Sequence, residues 1–194
     1  WGFLLHQAPQ PSNFRSVLTF LKDNPQDHRK ALNLIHDRLL SIYLVAFQSW
    51  IWNRILGHYL TTLGYTDPTI LITGLDFPLP PALPEALLEM QLSMPNLTVR
   101  YPDAVLPSVE AVLGEEGMTL EDFKARILRR VYLPKGERFI WFKPSEVVVG
   151  DVAPDEVFPE RWAVPVSFTL APRQYATLLV KAVAAHLGVH VRAR

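Results

Sequence analysis

The sequence of 194 residues contains no cysteine, which excludes a disulfide framework, a thiol nucleophile and a thiolate metal site. It also has no net charge, because nineteen basic residues balance nineteen acidic ones. The overall charge therefore gives no evidence for a nucleic-acid partner. The longest uncharged apolar run, residues 39–53, has fifteen residues, whereas a membrane-spanning helix needs about 20. We therefore expect a cytoplasmic protein with no membrane partner.

Motifs of several enzyme classes are absent as well. The sequence has no Gly-x-Ser-x-Gly nucleophile elbow, no Walker loop and no dinucleotide-binding fingerprint. Its six histidines are scattered, and no acidic residue near His186 and His190 completes a metal site. We expect neither a metal nor a cofactor.

The residues that are present, 49% of them hydrophobic and 20% charged, are typical of a globular protein. Apolar periodicity and turn signals predict an α+β fold. Helices are predicted over residues 16–22, 27–60, 85–91, 108–113, 120–130 and 173–187. Strands are predicted over residues 69–74, 97–101, 138–143, 146–149 and 164–170.

Polar residues interrupt the long apolar helix, where Gln48, Ser49 and Asn53 lie among aromatic residues. A buried polar group without a partner costs roughly 1–3 kcal/mol. We therefore expect these three side chains to fix the helix to neighbouring backbone. Trp50, with Trp52, Trp141 and Phe142, could stack on nucleic-acid bases, but the pattern favours a place for Trp50 in the core.

Charge is segregated in the middle of the chain. Residues 103–122 contain six acids and no base, and residues 124–138 contain six bases and one acid. The basic segment could contact phosphates, or it could be a solvated helix end whose cations complement the helix dipole. Under the first interpretation the candidate RNA-binding residues are Arg129, Arg130, Lys135 and Arg138.

Two blocks carry a family pattern: Ala-Phe-Gln-Ser-Trp-Ile-Trp-Asn-Arg at residues 46–54, and Ser-Phe-Thr-Leu-Ala-Pro-Arg-Gln-Tyr-Ala-Thr at residues 167–177. The first is similar to the Tyr-Gln-Ser-aromatic-Trp/Phe-Asn helix of the TruD family of tRNA pseudouridine synthases. The second resembles that family's Phe-x-Leu-Pro-x-Gly-Ser-Tyr-Ala-Thr segment, with a different turn at residues 171–174. Residues 115–123 and 136–138 are similar to two further family elements, in the family's order.

The resemblance implies that uridine in tRNA, usually uridine-13, is isomerised to pseudouridine without cofactor or metal. An aspartate attacks the flipped-out nucleotide, the glycosidic bond breaks, and the base is rejoined through carbon. By this analogy Phe168, Leu170 and Tyr175 line the uridine pocket, and Arg173 binds RNA. Alternatively, Tyr175 only anchors its strand to the following helix.

The family's nucleophilic aspartate lies upstream of the matching blocks, and none of Asp23, Asp27 or Asp37 has its sequence context. No catalytic residue is therefore assigned. We expect a carboxyl-terminal portion that is inactive alone, with tRNA and the missing amino-terminal catalytic segment as partners.

The resemblance also implies a domain organisation. Residues 1–26 would be a lead-in, residues 27–136 an inserted α/β (TRUD-type) domain, and residues 137–194 the last strands and helix of the catalytic sheet. Two alternatives stay open: a non-catalytic RNA- or protein-binding module, and a structural domain whose exposed apolar face promotes self-association.

Overall fold

The computed structural model describes Leu4, His6 and residues 14–72, 74–80, 82–124, 131–172 and 174–189. The helices are α1 (Arg15–Asp23), α2 (His28–Leu32), α3 (Asp37–Thr62), α4 (Glu85–Leu88), α5 (Leu106–Glu115) and α6 (Ala176–His186), with a 3₁₀ turn at Leu120–Lys124. The strands are β1 (Thr69–Ile72), β2 (Leu75–Pro78), β3 (Gln91–Ser93), β4 (Glu137–Phe139), β5 (Ser145–Val149), β6 (Ala153–Pro154), β7 (Trp162–Ala163) and β8 (Val166–Thr169). This mixture of helices and short strands confirms the α+β class.

The described strands pair in twos: β1 with β2, β3 with β4, β5 with β8, and β6 with β7. By their contacts the residues divide into two compact units. The helical unit comprises residues 1–64 and 92–138, and the strand-rich unit comprises residues 65–91 and 139–194. The domain boundaries expected from the family resemblance stay a prediction.

The core of the helical unit lies along the carboxyl-terminal half of α3. Ile51 and Ile55 are fully buried there, and α5 packs against this helix with Val109 and Val112 buried. Each such side chain contributes roughly 1.5–3 kcal/mol by leaving water. The first half of α3 is less covered, and Ile42 is 56% exposed although the helical periodicity favours its burial.

A set of hydrogen bonds to backbone carbonyls, here named the carbonyl clamp, fixes α3 to distant chain segments. Gln48 Nε2 donates to Pro95 O at 2.8 Å and to Pro134 O at 3.0 Å, and Trp52 Nε1 donates to Leu92 O at 3.0 Å. Gln48 is fully buried, so these bonds satisfy an amide nitrogen that could not otherwise reach water, while its Oε1 has no hydrogen-bond partner among the described residues. The expectation that Gln48 locks the helix onto backbone is confirmed.

The continuous helix predicted over residues 27–60 is wrong, because the chain breaks between α2 and α3. Asn33 Nδ2 donates to Arg29 O at 2.8 Å, and His36 Nδ1 accepts from Arg38 N at 3.3 Å. Side chains that bond to nearby backbone compete with helix continuation. Here they end one helix and begin the next.

The strand predicted over residues 97–101 is also wrong, since these residues follow a turn. Asn96 Oδ1 accepts from both Thr98 N and Thr98 Oγ1 at 3.0 Å, which is an Asx turn. Asn96 Nδ2 donates to Met94 O at 2.8 Å. The strand of this region is β3, which begins where a helix was expected to end.

Other predictions are right in kind and differ in length. The helix at residues 108–113 is α5, the strand at residues 146–149 is β5, and the helix predicted from residue 173 is α6. The helix expected at residues 85–91 is reduced to the single turn of α4. Of the one expected at residues 120–130, only the 3₁₀ turn falls within the described residues.

Apolar side chains of the strand-rich unit are largely uncovered. Val148 and Val166, on the paired strands β5 and β8, are 60% and 50% exposed. Trp162 on β7 is 71% exposed. The strand expected to be half-buried over residues 164–170 therefore has exposed valines, with Phe168 half-buried among them.

We predict that Gln48→Met lowers the free energy of unfolding by about 1–3 kcal/mol, because it leaves two backbone carbonyls without their donor. Urea denaturation measures the change. Gln26→Met is the matched control, since Gln26 is exposed, and it should alter stability little. Equal stability of the two variants would contradict a structural role for the clamp.

Candidate nucleic-acid interface

Of the five residues predicted to bind RNA, Lys135 and Arg138 lie in the described part of the helical unit. Arg129, Arg130 and Arg173 lie outside the described residues. Lys135 directly follows Pro134, whose carbonyl belongs to the clamp, and Arg138 lies on β4. Both side chains are exposed.

An open depression of about 360 Å³ lies beside Lys135. Its walls are the Asx turn on one side and the segment leading into β4 on the other. It is lined by Ser93, Asn96, Thr98, Val99, Arg100, Lys135, Gly136 and Glu137. The lining combines two cations, one carboxylate, hydroxyl and amide groups, and no aromatic ring.

The clamp and the β3–β4 pair fix both walls of this depression. Gln48 bonds to the carbonyls of Pro95 and Pro134, each of which immediately precedes a lining residue. Met94 N donates to Gly136 O at 2.8 Å and joins the two walls directly. Both walls of the depression are therefore attached by hydrogen bonds to the buried Gln48 side chain and to each other.

The two cations of the depression differ from Arg54 in their surroundings. Arg54 is mostly buried, forms ion pairs with Glu115 and Glu116, and packs 5.0 Å from the Trp50 ring centre. Arg100 and Lys135 are exposed, and neither forms an ion pair with any described residue. The acidic segment thus neutralises Arg54 and leaves the depression with unpaired positive charge.

Glu137 is the one acid in the lining. Its Oε1 accepts from Ser93 Oγ at 3.1 Å, which holds the carboxylate beside β3. The lining therefore contains Arg100 and Lys135 against Glu137, a formal charge of two minus one, or +1.

Arg138 contributes to packing as well as to surface charge. Its guanidinium lies 5.7 Å from the Trp52 ring centre, and Nη2 donates to Ser49 Oγ at 3.3 Å. An exposed cation on an aromatic face gains about 0.5–1 kcal/mol. Arg138 therefore has a structural partner before any ligand is considered.

Two of the four aromatic candidates for base stacking have side-chain contacts within the protein. Trp52 is buried and bonded through its indole nitrogen, and Trp50 packs against Phe47 with ring centres 5.8 Å apart. Trp141 and Phe142 are half-buried. Trp50, which was expected in the core, is half-buried and packs against Phe47 and Arg54.

The residues predicted to line the uridine pocket belong to the strand-rich unit. Phe168, on β8, and Leu170, just after it, are half-buried, whereas Tyr175 is 63% exposed at the amino-terminal cap of α6. Gln174 Oε1 accepts from Ala171 N at 3.1 Å and closes the turn between strand and helix. This bond supports the turn that departs from the family pattern.

Comparisons with known proteins identify relatives of the chain. The family model described as tRNA pseudouridine synthase D (TruD) matches residues 3–68. The probable tRNA pseudouridine synthase D 2 of Methanocaldococcus jannaschii is 24% identical over an alignment of 215 positions, which takes in 100% of this chain and 46% of that protein.

Two further relatives extend the same similarity. The probable tRNA pseudouridine synthase D 1 of Methanococcus maripaludis is 26% identical, across 81% of this chain and 41% of the relative. The tRNA pseudouridine synthase D of Leptospira interrogans is 24% identical, across 73% of this chain and 36% of the relative. The chain is related to the TruD family. It spans less than half of the length of these TruD relatives.

The aspartates considered for the nucleophile of TruD enzymes have other places here. Asp27 caps α2, where its Oδ1 accepts from Lys30 N at 3.0 Å. Asp37 begins α3, and Asp23 ends α1 in an exposed position. We assign catalysis to none of the three.

Arg100, which lines the same depression as Lys135, is not among the residues predicted from the sequence to bind RNA. It is 35 positions away in the chain, and the strand predicted there concealed the Asx turn that places it. The motif Asn96-x-Thr98 was the available signal, because Asn and Thr side chains favour such turns. Among the described residues no helix has the length and hydropathy to cross a membrane, and no group of His, Cys, Asp and Glu could hold a metal ion.

Tyr101 lies beneath Ser93, whose carbonyl accepts the tyrosine hydroxyl at 3.2 Å. Burial raises the pKa of Tyr101 above its ordinary value. The unfolded chain ionises this group near pH 10, so its contribution to stability is full below about pH 10 and is lost as the pH rises further.

We predict that absorbance titration resolves a tyrosine component that belongs to Tyr101 and whose ionisation is delayed above pH 10. Tyr101→Phe should remove this component and reduce the fall in free energy of unfolding at alkaline pH. Tyr132→Phe is the control, because Tyr132 is 86% exposed. Common titration of all six groups near pH 10 would show the assignment to be wrong.

Proposed function

We propose that this chain is part of a tRNA pseudouridine synthase that isomerises uridine, at position 13 of tRNA, and that it supplies RNA-binding surface and a pocket wall. The observation that carries the proposal is the relationship to proteins named tRNA pseudouridine synthase D, one of which aligns with the whole chain. The unpaired cations of the helical unit support contact with a polyanion. Within this proposal the protein acts in the cytoplasm.

In this proposal the basic residues Arg129, Arg130, Lys135, Arg138 and Arg173 contact the RNA. Most bonds from such residues to phosphate and sugar fix register and do not report base identity. The choice of the uridine to be modified would then depend on the shape of the tRNA and on how readily that uridine is extruded.

Phe168, Leu170 and Tyr175 are proposed as the wall against which the extruded uridine lies. Phe168 and Leu170 offer half-buried apolar surface, and the exposed Tyr175 offers a ring and a hydroxyl. An apolar wall with one polar group suits a nucleobase, which has a flat apolar face and polar edges. The attacking aspartate would come from additional polypeptide, equivalent to the part of the TruD relatives that this chain does not match.

The same polypeptide is the proposed partner of the strand-rich unit. Large contiguous apolar patches on a surface mark interaction sites, and β5 and β8 expose Val147, Val148, Val149 and Val166 by half or more. Since the curated relatives are more than twice as long as the part matched here, each has the additional chain needed to cover such a face. This surface favours the enzyme segment over an independent binding module.

We predict that the purified chain of 194 residues alone forms no pseudouridine on a tRNA transcript, because no aspartate in it has the context of the nucleophile. When the base is rejoined through carbon, that carbon loses its hydrogen. Tritium release from tRNA whose uridines are labelled at that carbon therefore measures the reaction. The same assay with the full-length relative from Methanocaldococcus jannaschii is the positive control. Turnover by the chain alone would contradict the assignment of no catalytic residue.

The binding-module alternative gives a different result in an extended protein. Joining the chain to the unmatched portion of that relative should restore tritium release if the chain is an enzyme segment. Tight tRNA binding without release, in a folded fusion, would instead support a non-catalytic module.

A further inference from the structure

The open depression between the Asx turn and the start of β4 is lined by side chains that suit the sugar-phosphate backbone of a nucleic acid. Its lining supplies two exposed cations, Arg100 and Lys135, with the hydroxyl groups of Ser93 and Thr98. It has no aromatic ring on which a base could stack. These groups bind phosphate oxygens and ribose hydroxyls, which are the sequence-independent parts of a nucleic acid.

The size and rigidity of the depression also suit such a ligand. A volume of about 360 Å³ lies near the lower end of ligand sites, roughly 300–1,000 Å³. The carbonyl clamp and the bond from Met94 N to Gly136 O hold its two walls together. Arg100 and Lys135, from distant parts of the chain, are therefore presented on a fixed frame.

We infer that this depression is a subsite for the RNA phosphate backbone, in which Arg100 and Lys135 together neutralise phosphates of the tRNA. The inference rests on the proposed function and adds to it a specific site and a residue, Arg100, outside the basic segment. Glu137, held by Ser93, limits the formal charge of the lining to +1, so the subsite binds phosphate as part of a longer polyanion and not as an isolated ion.

The test compares Arg100→Ala/Lys135→Ala with the unaltered chain by fluorescence anisotropy of a labelled tRNA transcript over a series of salt concentrations. The plot of log K against log salt has a negative slope, and each lost phosphate contact reduces the magnitude of this slope by about 0.7–0.9. The double variant should therefore lose roughly 1.5 in slope, and bind roughly 20-fold more weakly at about 0.15 M salt.

A matched double variant, Arg29→Ala/Arg38→Ala, removes two exposed cations of the same unit outside the depression. It should lose less than half as much slope. Thermal unfolding midpoints of both variants should match that of the unaltered chain, because all four side chains are exposed. A misfolded double variant is replaced by the single variants Arg100→Gln and Lys135→Gln, each expected to lose about 0.7–0.9 in slope.

Three results would overturn the inference, and they are distinguishable. A normal tRNA slope in the Arg100→Ala/Lys135→Ala variant rejects the subsite and leaves the proposed function standing. Absence of tRNA binding by the unaltered chain rejects RNA contact altogether. Saturable binding of inorganic phosphate or poly-glutamate that this variant loses, with tRNA binding unchanged, assigns the depression to a free anion or an acidic peptide.

Discussion

The carbonyl clamp is the interaction on which the helical unit depends. Gln48 and Trp52 each direct a buried N–H group from α3 to distant backbone carbonyls, those of Pro95 and Pro134 in segments without regular structure and that of Leu92 on β3. Removing either donor leaves a buried carbonyl unpaired, whereas the bond itself contributes only about 1 kcal/mol net. The main effect of the clamp is therefore to favour one arrangement of these segments around α3, because other arrangements leave the same polar groups unsatisfied.

Sequence reasoning succeeded where local pattern and buried polarity agreed. The apolar run with Gln48 inside it predicted both a core helix and its attachment to backbone, and the two family blocks predicted the TruD relationship. It failed where side chains override apolar pattern, as at Asn96, whose turn replaces an expected strand. Arg100 was missed for the same reason, because its neighbourhood with Lys135 is created by that turn and by β4, 35 positions apart. Alternation in residues 164–170 predicted a strand correctly but could not reveal that its valines lack cover among the described residues.

The distribution of charge connects the fold with the proposed RNA contact. Two carboxylates of the acidic segment, those of Glu115 and Glu116, are paired with Arg54 of α3. This pairing reduces the repulsion that they would exert on a polyanion. Arg138 packs over Trp52, while Arg100 and Lys135 keep their charge in solvent. A protein with zero net charge can thus present local positive potential, which is the quantity that a polyanion senses within a Debye length of about 8–10 Å. In the proposed function the two units serve different contacts, because the uncovered strands of the strand-rich unit would meet the additional polypeptide.

Residue-resolved NMR of the chain, titrated with unlabelled tRNA, tests the central claim that a clamp-held frame presents a phosphate-binding surface. Amide signals of the non-proline residues in 93–100 and 135–138 should shift together and saturate at one RNA concentration, and the shifts should diminish as salt is added. Signals of the β6–β7 pair, which carries no proposed RNA contact, should stay in place. Shifts confined to residues outside both walls of the depression, or shifts of one wall without the other, would contradict the account.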